Sequence, residues 1–353
     1  MTQKKVLVGM SGGVDSAAAA ALLLERGYAV TGCLLRLHLG PEDPLWARNL
    51  ADAQAVAEKL GIRLLCADYS ALFRRQVMDY FAAAYRAGLT PNPCVKCNEH
   101  VKFAALCREA DAMGIPCIAT GHYAQVDQDP ASGRARLLRG ADRRKDQSYF
   151  LYPLSQGVLR RLLLPIGGYT KEAVRDLAEA QGLVNARKRD SQDICFIPGG
   201  DYGAFLEARG LVSPPGDFLD TGGRVLGRHQ GLERYTTGQR RGLGVSGGRP
   251  LYVVRKDLAA NTVILGDEAD LYARTVWAED FRWVSLPPQE TPLAVTAKTR
   301  YSQGETAATL YPEGEGRVRV VFDAPQRAVT PGQSLAAYAG DAVVGGGVIS
   351  RAE

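Results

Sequence analysis

Apolar and polar positions follow two alternating periods along the first third of the chain. Short apolar runs at 6–8, 29–35, 63–67 and 116–120 have the length and composition of strands. Between them, residues 17–26, 46–60, 72–87 and 101–113 carry apolar positions at three- and four-residue spacing, which predicts helices. Strands and helices in strict alternation predict an α/β fold, a parallel sheet covered on both faces, with ligands beyond the carboxyl ends of its strands. The pattern changes after Gly200. Turns crowd Pro214-Pro215-Gly216, Gly222-Gly223 and Gly247-Gly248, and helix-length patterns become scarce. From about residue 276, runs at 293–301, 317–322 and 343–349 alternate in strand fashion between turns such as Pro312-Glu-Gly and Pro331-Gly, predicting a small all-β domain of barrel type. Three units are expected: 1–200, a small central domain at 201–273, and a β-barrel at 274–353.

Composition narrows the class. A chain of 353 residues, 46% hydrophobic and 23% charged, is ordinary for a globular protein of two or three domains. No run approaches the roughly 20 apolar residues that span a bilayer. Met-Thr-Gln-Lys-Lys leads straight into the first strand, so the expectation is a cytoplasmic protein without signal peptide or membrane contact. The net charge of +5 permits a nucleic-acid partner without showing one. Arg134, Arg136, Arg139, Arg143, Arg144 and Lys145 form one basic run and Arg187-Lys-Arg189 another; such runs are either simply solvated or contact a phosphate backbone. Seven cysteines in a chain without export signals argue against a disulfide framework. Cys33, Cys66, Cys107 and Cys117 lie in apolar patterns and are expected to be small buried hydrophobes.

Candidate chemistry begins at Ser11-Gly-Gly-Val-Asp-Ser16, between the first strand and the first helix. Backbone N–H groups bared at such a turn, backed by the positive end of the helix dipole, make an anion cradle. Gly12 and Gly13 let the backbone approach a phosphate, and Ser11 and Ser16 offer hydroxyls. No Gly-Lys-Ser/Thr follows, so the loop is not of the Walker kind, nor is it the dinucleotide Gly-x-Gly-x-x-Gly. Gly121-His122 stands at the end of the last strand and is expected to converge on the same pocket. Cys94 and Cys97 form a Cys-x-x-Cys in Thr90-Pro-Asn-Pro-Cys-Val-Lys-Cys-Asn98. The two prolines predict an irregular, exposed loop, and a helix starting after it would depress the thiol pKa. Cys195 sits in Asp190-Ser-Gln-Asp-Ile-Cys-Phe-Ile197. Three readings stand: half of a zinc site, structural cysteines, or thiols that handle sulfur.

The Ser-Gly-Gly-x-Asp-Ser loop resembles the signature of the PP-loop ATP pyrophosphatases, which adenylate a substrate. With Gly9-Met-Ser-Gly-Gly-Val-Asp-Ser16, Pro91-Asn-Pro-x-x-x-Cys97-Asn98, Ala119-Thr-Gly-His-Tyr123, Lys145-Asp-Gln-Ser-Tyr-Phe-Leu151, Asp190-Ser-Gln-x-Ile-Cys-Phe-Ile197, Tyr235-Thr-x-Gly-Gln-Arg-x-Gly-Leu-Gly244, Arg300-Tyr301 and Gly345-Gly-Gly347, the chain resembles the tRNA-specific 2-thiouridylases over nearly its whole length. That resemblance implies a Rossmann-like PP-loop domain, a small central domain and a C-terminal β-barrel. It also implies ATP-dependent 2-thiolation of the wobble uridine, position 34, of tRNA.

By the same resemblance Gly9, Met10, Ser11, Gly12, Gly13, Val14, Asp15 and Ser16 bind the ATP phosphates, while Leu35 and Gly121 flank the nucleotide. Mg²⁺ accompanies the phosphates, with Asp15 a weak candidate to assist. His122, Lys145, Asp146, Gln147, Arg300, Tyr301 and Gln333 match positions where the family touches tRNA. Cys195 holds the transferable sulfur as a persulfide, Cys97 is its partner thiol, and the sulfur comes from a donor such as a cysteine desulfurase or a sulfur relay. Many members carry an aspartate where this chain has Cys94, so the general-base role credited to it does not transfer. The third cysteine opens a second route, in which Cys94, Cys97 and Cys195 hold three irons of a [4Fe-4S] cluster whose fourth iron carries the sulfide. Two rivals remain: another PP-loop ligase of amidating or argininosuccinate type with incidental cysteines, and a non-catalytic RNA-binding protein with a zinc-stabilised loop.

Overall fold

The computed structural model describes residues 3–188, 194–245 and 248–353. Its first sheet is built from β1 (Lys5–Met10), β2 (Ala29–Arg36), β3 (Arg63–Asp68), β4 (Cys117–Ala119) and, further along the chain, β7 (Leu162–Leu163), in the spatial order β3-β2-β1-β4-β7 with every pairing parallel. The period of two along β1 sends Val6 and Val8 to one face and Leu7 to the other. On the first face lie α1 (Val14–Glu25), α2 (Pro44–Leu60) and α8 (Lys171–Ala180), with Ala17, Ala20, Leu23, Val56 and Ala178 in the core. On the second lies α6 (Phe103–Ala112), through Phe103, Leu106 and Ala110. The sheet is the doubly covered, Rossmann-like one that the alternation predicts.

The remaining helices of this half are short: α3 (Ser70–Phe73), α4 (Tyr80–Arg86), α5 (Pro93–Cys97), α7 (Gln156–Leu159) and, opening the middle unit, α9 (Tyr202–Glu207). Two π-helical turns, Arg74–Asp79 and Asn98–Lys102, join α3 to α4 and α5 to α6. The helix expected from residue 101 therefore begins at Pro93, and Cys-x-x-Cys lies inside it rather than in a loop before it. Asn92 caps it, its side chain accepting from the Val95 N–H, and Pro93 occupies the first turn, where its missing N–H is no loss.

The middle unit is a four-stranded sheet, β8 (Gly216–Asp220), β9 (Val225–His229), β10 (Tyr252–Asp257) and β11 (Thr262–Gly266), closed over Phe218, Val253, Val263 and Leu265. The C-terminal unit is a barrel: β12 (Tyr272–Trp283), β13 (Leu293–Lys298), β14 (Thr306–Pro312), β15 (Val318–Arg327), β16 (Ser334–Ala339) and β17 (Ala342–Ala352) pair in the order β12-β15-β14-β13-β16-β17, and β12 pairs back to β17. Closure removes the free edges that so many strands would otherwise expose.

One hairpin crosses between units. β5 (Ala124–Gln128) and β6 (Ala135–Arg139) belong by sequence to the first half, yet β6 pairs with β17 through Leu138 and Ala342. The first basic run is therefore largely a strand and its turn, and its charges are occupied. Arg134 donates to the carbonyls of Val284 and Trp283, Arg136 pairs with Asp127, Arg139 with Glu305, and Arg143 with Asp341. Arg144 pairs only loosely with Asp142, at 3.7 Å, and its side chain is 82% exposed. Of the four cysteines expected inside, Cys33 is buried, Cys107 and Cys117 are half-buried, and Cys66 is exposed on the edge strand β3.

Candidate active site

At the end of β1 the chain turns through Ser11-Gly12-Gly13 into α1. Gly12 takes a left-handed φ of 71°, and an added Cβ would lie 2.7 Å from the Asn49 carbonyl oxygen. Gly13 is the N-cap and supplies no side-chain cap, which leaves the first-turn amides to an anion. The serine hydroxyls brace the loop: Ser16 Oγ donates to the Gly13 carbonyl at 3.0 Å, and the Ser11 N–H donates to Ser16 Oγ at 3.2 Å. Gly9 and the buried Met10 lie in β1, Val14 is buried beneath the loop, and Leu35 is half-buried in β2.

Asp15 faces protein. It accepts from Lys171 Nζ at 2.7 and 2.9 Å and from the Tyr123 hydroxyl at 2.7 Å, so its carboxylate is engaged by α8 and the neighbouring loop. Gly121 is the point of closest approach: an added Cβ would lie 2.6 Å from the Asp15 carbonyl carbon and 2.7 Å from the Ser16 nitrogen. The two turns do converge, backbone against backbone.

His122 extends that contact toward the thiols. Its Nδ1 lies 2.8 Å from Thr120 Oγ1, and its Nε2 lies 3.5 Å from Lys102 Nζ. Burial, then the Lys102 charge, hold its pKa well below the usual value. The ring is thus neutral, with Nδ1–H donating to Thr120 and Nε2 accepting from the ammonium. Lys102 closes the π-helical turn that follows Cys97.

Cys97 is buried, while Cys94 and Cys195 reach solvent. Crowding still desolvates all three sulfurs and raises each pKa, that of Cys195 to about 12 with Cys97 and Cys94 as the next causes. The depression expected from a helix start is overturned, since Cys94 and Cys97 lie within the helix and burial outweighs its dipole. Lys102 opposes the rise at all three and is the cation they share. Among the described residues no three Cys, His, Asp or Glu side chains are gathered as a metal-holding group. Cys94, Cys97 and Cys195 are nonetheless neighbours, close enough for the first two to act on the charge of the third.

The residues matched to tRNA contacts gather where the first unit meets the barrel. Asp146 is buried and accepts from the Gly140 and Ser148 N–H groups and from the Ser148 hydroxyl. Gln147 is hydrogen-bonded to the Tyr123 backbone in both directions. Arg300 donates to the Ala328 carbonyl and to Thr330 Oγ1, while Gln333 Nε2 donates to the Thr90 carbonyl at 2.9 Å. Lys145 is half-buried, and Tyr301 is exposed with its ring 4.5 Å from that of Phe150.

Three family models match in succession: a "tRNA methyl transferase HUP domain" over residues 4–199, a "tRNA methyl transferase PRC-barrel domain" over 203–267, and an "Aminomethyltransferase beta-barrel domain" over 273–349. A protein of Acetivibrio thermocellus named tRNA-specific 2-thiouridylase MnmA is 47% identical over 358 residues, covering 99% of this chain and 100% of its own. One of the same name from Moorella thermoacetica is 48% identical over 356 residues, covering 97% and 98%. The chain belongs to the tRNA-specific 2-thiouridylases. Likeness to solved structures is weak: U34-tRNA thiolase NcsA from Methanococcus maripaludis, with its [4Fe-4S] cluster, is 16% identical over 59% of this chain and 68% of that one at a TM-score of 0.36, too low to argue from.

In this 2-thiouridylase several charged side chains at the site escape motif reading. Lys188 Nζ donates to the Gly12 carbonyl at 3.1 Å and pairs with Asp52 at 2.6 Å, so part of the second basic run serves the nucleotide loop. Lys171 and Lys102 carried no sequence signal beyond their positions after Thr170 and before Phe103. His38 lies against the backbone of Cys195, whose contact partly offsets the lowering of its pKa by burial.

Proposed function

We propose that this chain 2-thiolates the wobble uridine of tRNA, using ATP at the glycine loop and sulfur carried on Cys195. The observation that carries the reading is the short bridge between the two chemistries: Gly121 rests on the Asp15–Ser16 backbone, and the next residue, His122, meets Lys102 beside the thiols. ATP phosphates bound at the start of α1 would lie at one end of this bridge, and the sulfur at the other.

The uridine is flipped from the anticodon loop into the cleft. Its C2 oxygen attacks the α-phosphorus, forming the adenylated base and releasing pyrophosphate. The terminal sulfur of a Cys195 persulfide attacks C2, and the C2–O bond breaks as AMP leaves. Cys97 thiolate then attacks the Cys195 sulfur, cleaving the S–S bond, so that the transferred sulfur stays on C2 and a Cys97–Cys195 disulfide forms. A thiol reductant resets it by exchange. Mg²⁺ would sit on the ATP phosphates, since the Asp15 carboxylate is engaged by Lys171. Both resting thiols are protonated at neutral pH, and Lys102 is the charge placed to favour thiolate when the site is engaged. Lys145, Tyr301 and the barrel face beside them would hold tRNA by shape and phosphate contact. Cys94, on the same helix as Cys97, takes no step in this route.

The test combines tRNA-dependent pyrophosphate release with mass analysis of the tRNA nucleosides. Cys195→Ser and Cys97→Ser should release pyrophosphate yet form no 2-thiouridine, and Cys94→Ser should form it. Protein purified without oxygen should thiolate tRNA while free of iron, given a cysteine desulfurase and cysteine. Activity that tracks bound iron, or that is lost in Cys94→Ser, would replace the persulfide route with the cluster.

A further inference from the structure

The helix that carries Cys94 and Cys97 is held at both ends by the barrel. Before it, the Thr90 N–H donates to the Pro331 carbonyl at 2.9 Å, and Gln333 Nε2 donates to the Thr90 carbonyl. Gly332, at a φ of 92°, allows this approach: an added Cβ would lie 2.8 Å from the Thr90 nitrogen. After it, Glu99 collects two cations and an imidazole, whose pKa burial lowers, on a side chain only 9% exposed. Lys96 at 3.1 Å and His100 at 3.2 Å come from the same helical segment, and Arg282 at 2.6 Å comes from β12.

The Gly345-Gly-Gly347 run of β17 makes the second hold possible. β12 bulges against β17 between Glu279 and Arg282, and side chains at Gly345 and Gly347 would strike this bulge. A Cβ at Gly347 would lie 2.6 Å from the Glu279 carbonyl oxygen, and one at Gly345 2.7 Å from the Phe281 ring. One at Gly346 would lie 2.6 Å from the ring of Tyr152, which belongs to the first unit. The glycines therefore seat Tyr152 on the barrel and leave room for the bulge from which Arg282 reaches Glu99.

We propose that Arg282 and Glu99 are positioning residues for sulfur transfer: with the 331–333 turn they fix the thiol helix to the barrel, so that nucleic acid engaging the barrel acts on the Cys97 step and not on adenylation. The inference rests on the proposed function for its reaction, but not for its geometry.

Arg282→Ala, Arg282→Lys and the volume-preserving Glu99→Gln test it in the full-length protein. Pyrophosphate release and the KM for tRNA should stay at parental values in all three. Single-turnover sulfur transfer should fall about tenfold to a hundredfold in Arg282→Ala and Glu99→Gln, the scale of a small displacement of a reacting group, and recover in Arg282→Lys. Iodoacetamide labelling of the buried Cys97, followed by peptide mass analysis, should accelerate in the two slow variants. Equal loss of pyrophosphate release and sulfur transfer, or unchanged labelling of Cys97, overturns the proposal. A parent chain that forms no 2-thiouridine would refute the proposed function instead, and the labelling would still decide whether the barrel holds the helix.

Discussion

Gly121→Ala separates the contact between the two turns from all other features of the nucleotide site. The new Cβ would meet the Asp15 carbonyl carbon at 2.6 Å and its oxygen and the Ser16 nitrogen at 2.7 Å. Ordinary carbon contacts lie at about 3.5–4.0 Å, so the strand end and the first turn of α1 must part by nearly 1 Å. Backbone atoms have no rotamer with which to yield. Overpacking of this kind typically costs about 1–3 kcal/mol, and a domain of this size loses roughly 2–4 °C of melting temperature per kcal/mol. The functional effect should be larger, because displacing a positioning element by about 1 Å can lower a rate about a hundredfold. Thermal melting and the ATP dependence of pyrophosphate release read the two effects separately. Gly13→Ala is the control for packing: its Cβ would meet only Ser11 Oγ, at 3.3 Å, and its φ of −101° suits alanine, so melting should fall by no more than a less favourable N-cap costs, about 1 kcal/mol. A Gly121→Ala protein with parental melting temperature and parental KM for ATP would refute the convergence of the two loops as the basis of the site.

Three further substitutions address the middle unit and the first basic run. Lys256 in β10 has a buried Nζ with no hydrogen-bond partner among the described residues, and burial brings its pKa down to about 8. Below pH 8 the folded state must hold this charge in a poor environment, whereas above the unfolded value near 10.5 both states are neutral; stability of the middle unit should therefore rise from pH 8 to 10.5. Lys256→Met should remove that rise and stabilise the protein at pH 7 by up to about 3 kcal/mol, measured by urea unfolding; an unchanged pH profile would dismiss the buried charge. In the basic run, Arg139→Ala should lower the melting temperature, because this side chain pairs with Glu305 and lies 4.3 Å over the Tyr338 ring. Arg144→Ala should leave melting alone and reduce the salt dependence of tRNA binding by about one counterion. The opposite assignment of effects would restore the run as a phosphate-binding surface.

What could be read from the sequence was what is local. β1, α1 and the loop between them follow from apolar periods and two glycines, and so do three of the six strands of the barrel. The Cys-x-x-Cys segment was misread because Pro91 and Pro93 look like loop residues, although Asn92 followed by Pro93 is equally the start of a helix. Its thiols were expected to be acidic from their place in sequence, and desolvation by distant segments reversed this. Ala135-Arg-Leu-Leu-Arg139 drew attention as charge when its backbone forms a strand. The pairs that organise the site, Asp15 with Lys171, Lys188 with Gly12 and Glu99 with Arg282, join residues 156, 176 and 183 positions apart. No local pattern encodes such partners; only the folded topology brings them together.

The pairing of Leu138 with Ala342 also has a meaning in time. Some 204 residues separate the partners, and at ribosomal speeds of about 5–20 residues per second the hairpin would wait roughly 10–40 s for its mate. During that interval the parallel sheet can close while the edge of β6 stays open, a template for any other nascent strand. A fragment ending before β17 would leave that edge open permanently, and a fragment beginning at β12 would lack the hairpin that continues its sheet. The last strand of the barrel thus continues into a surface laid down in the first half, so the two share an edge that neither covers alone.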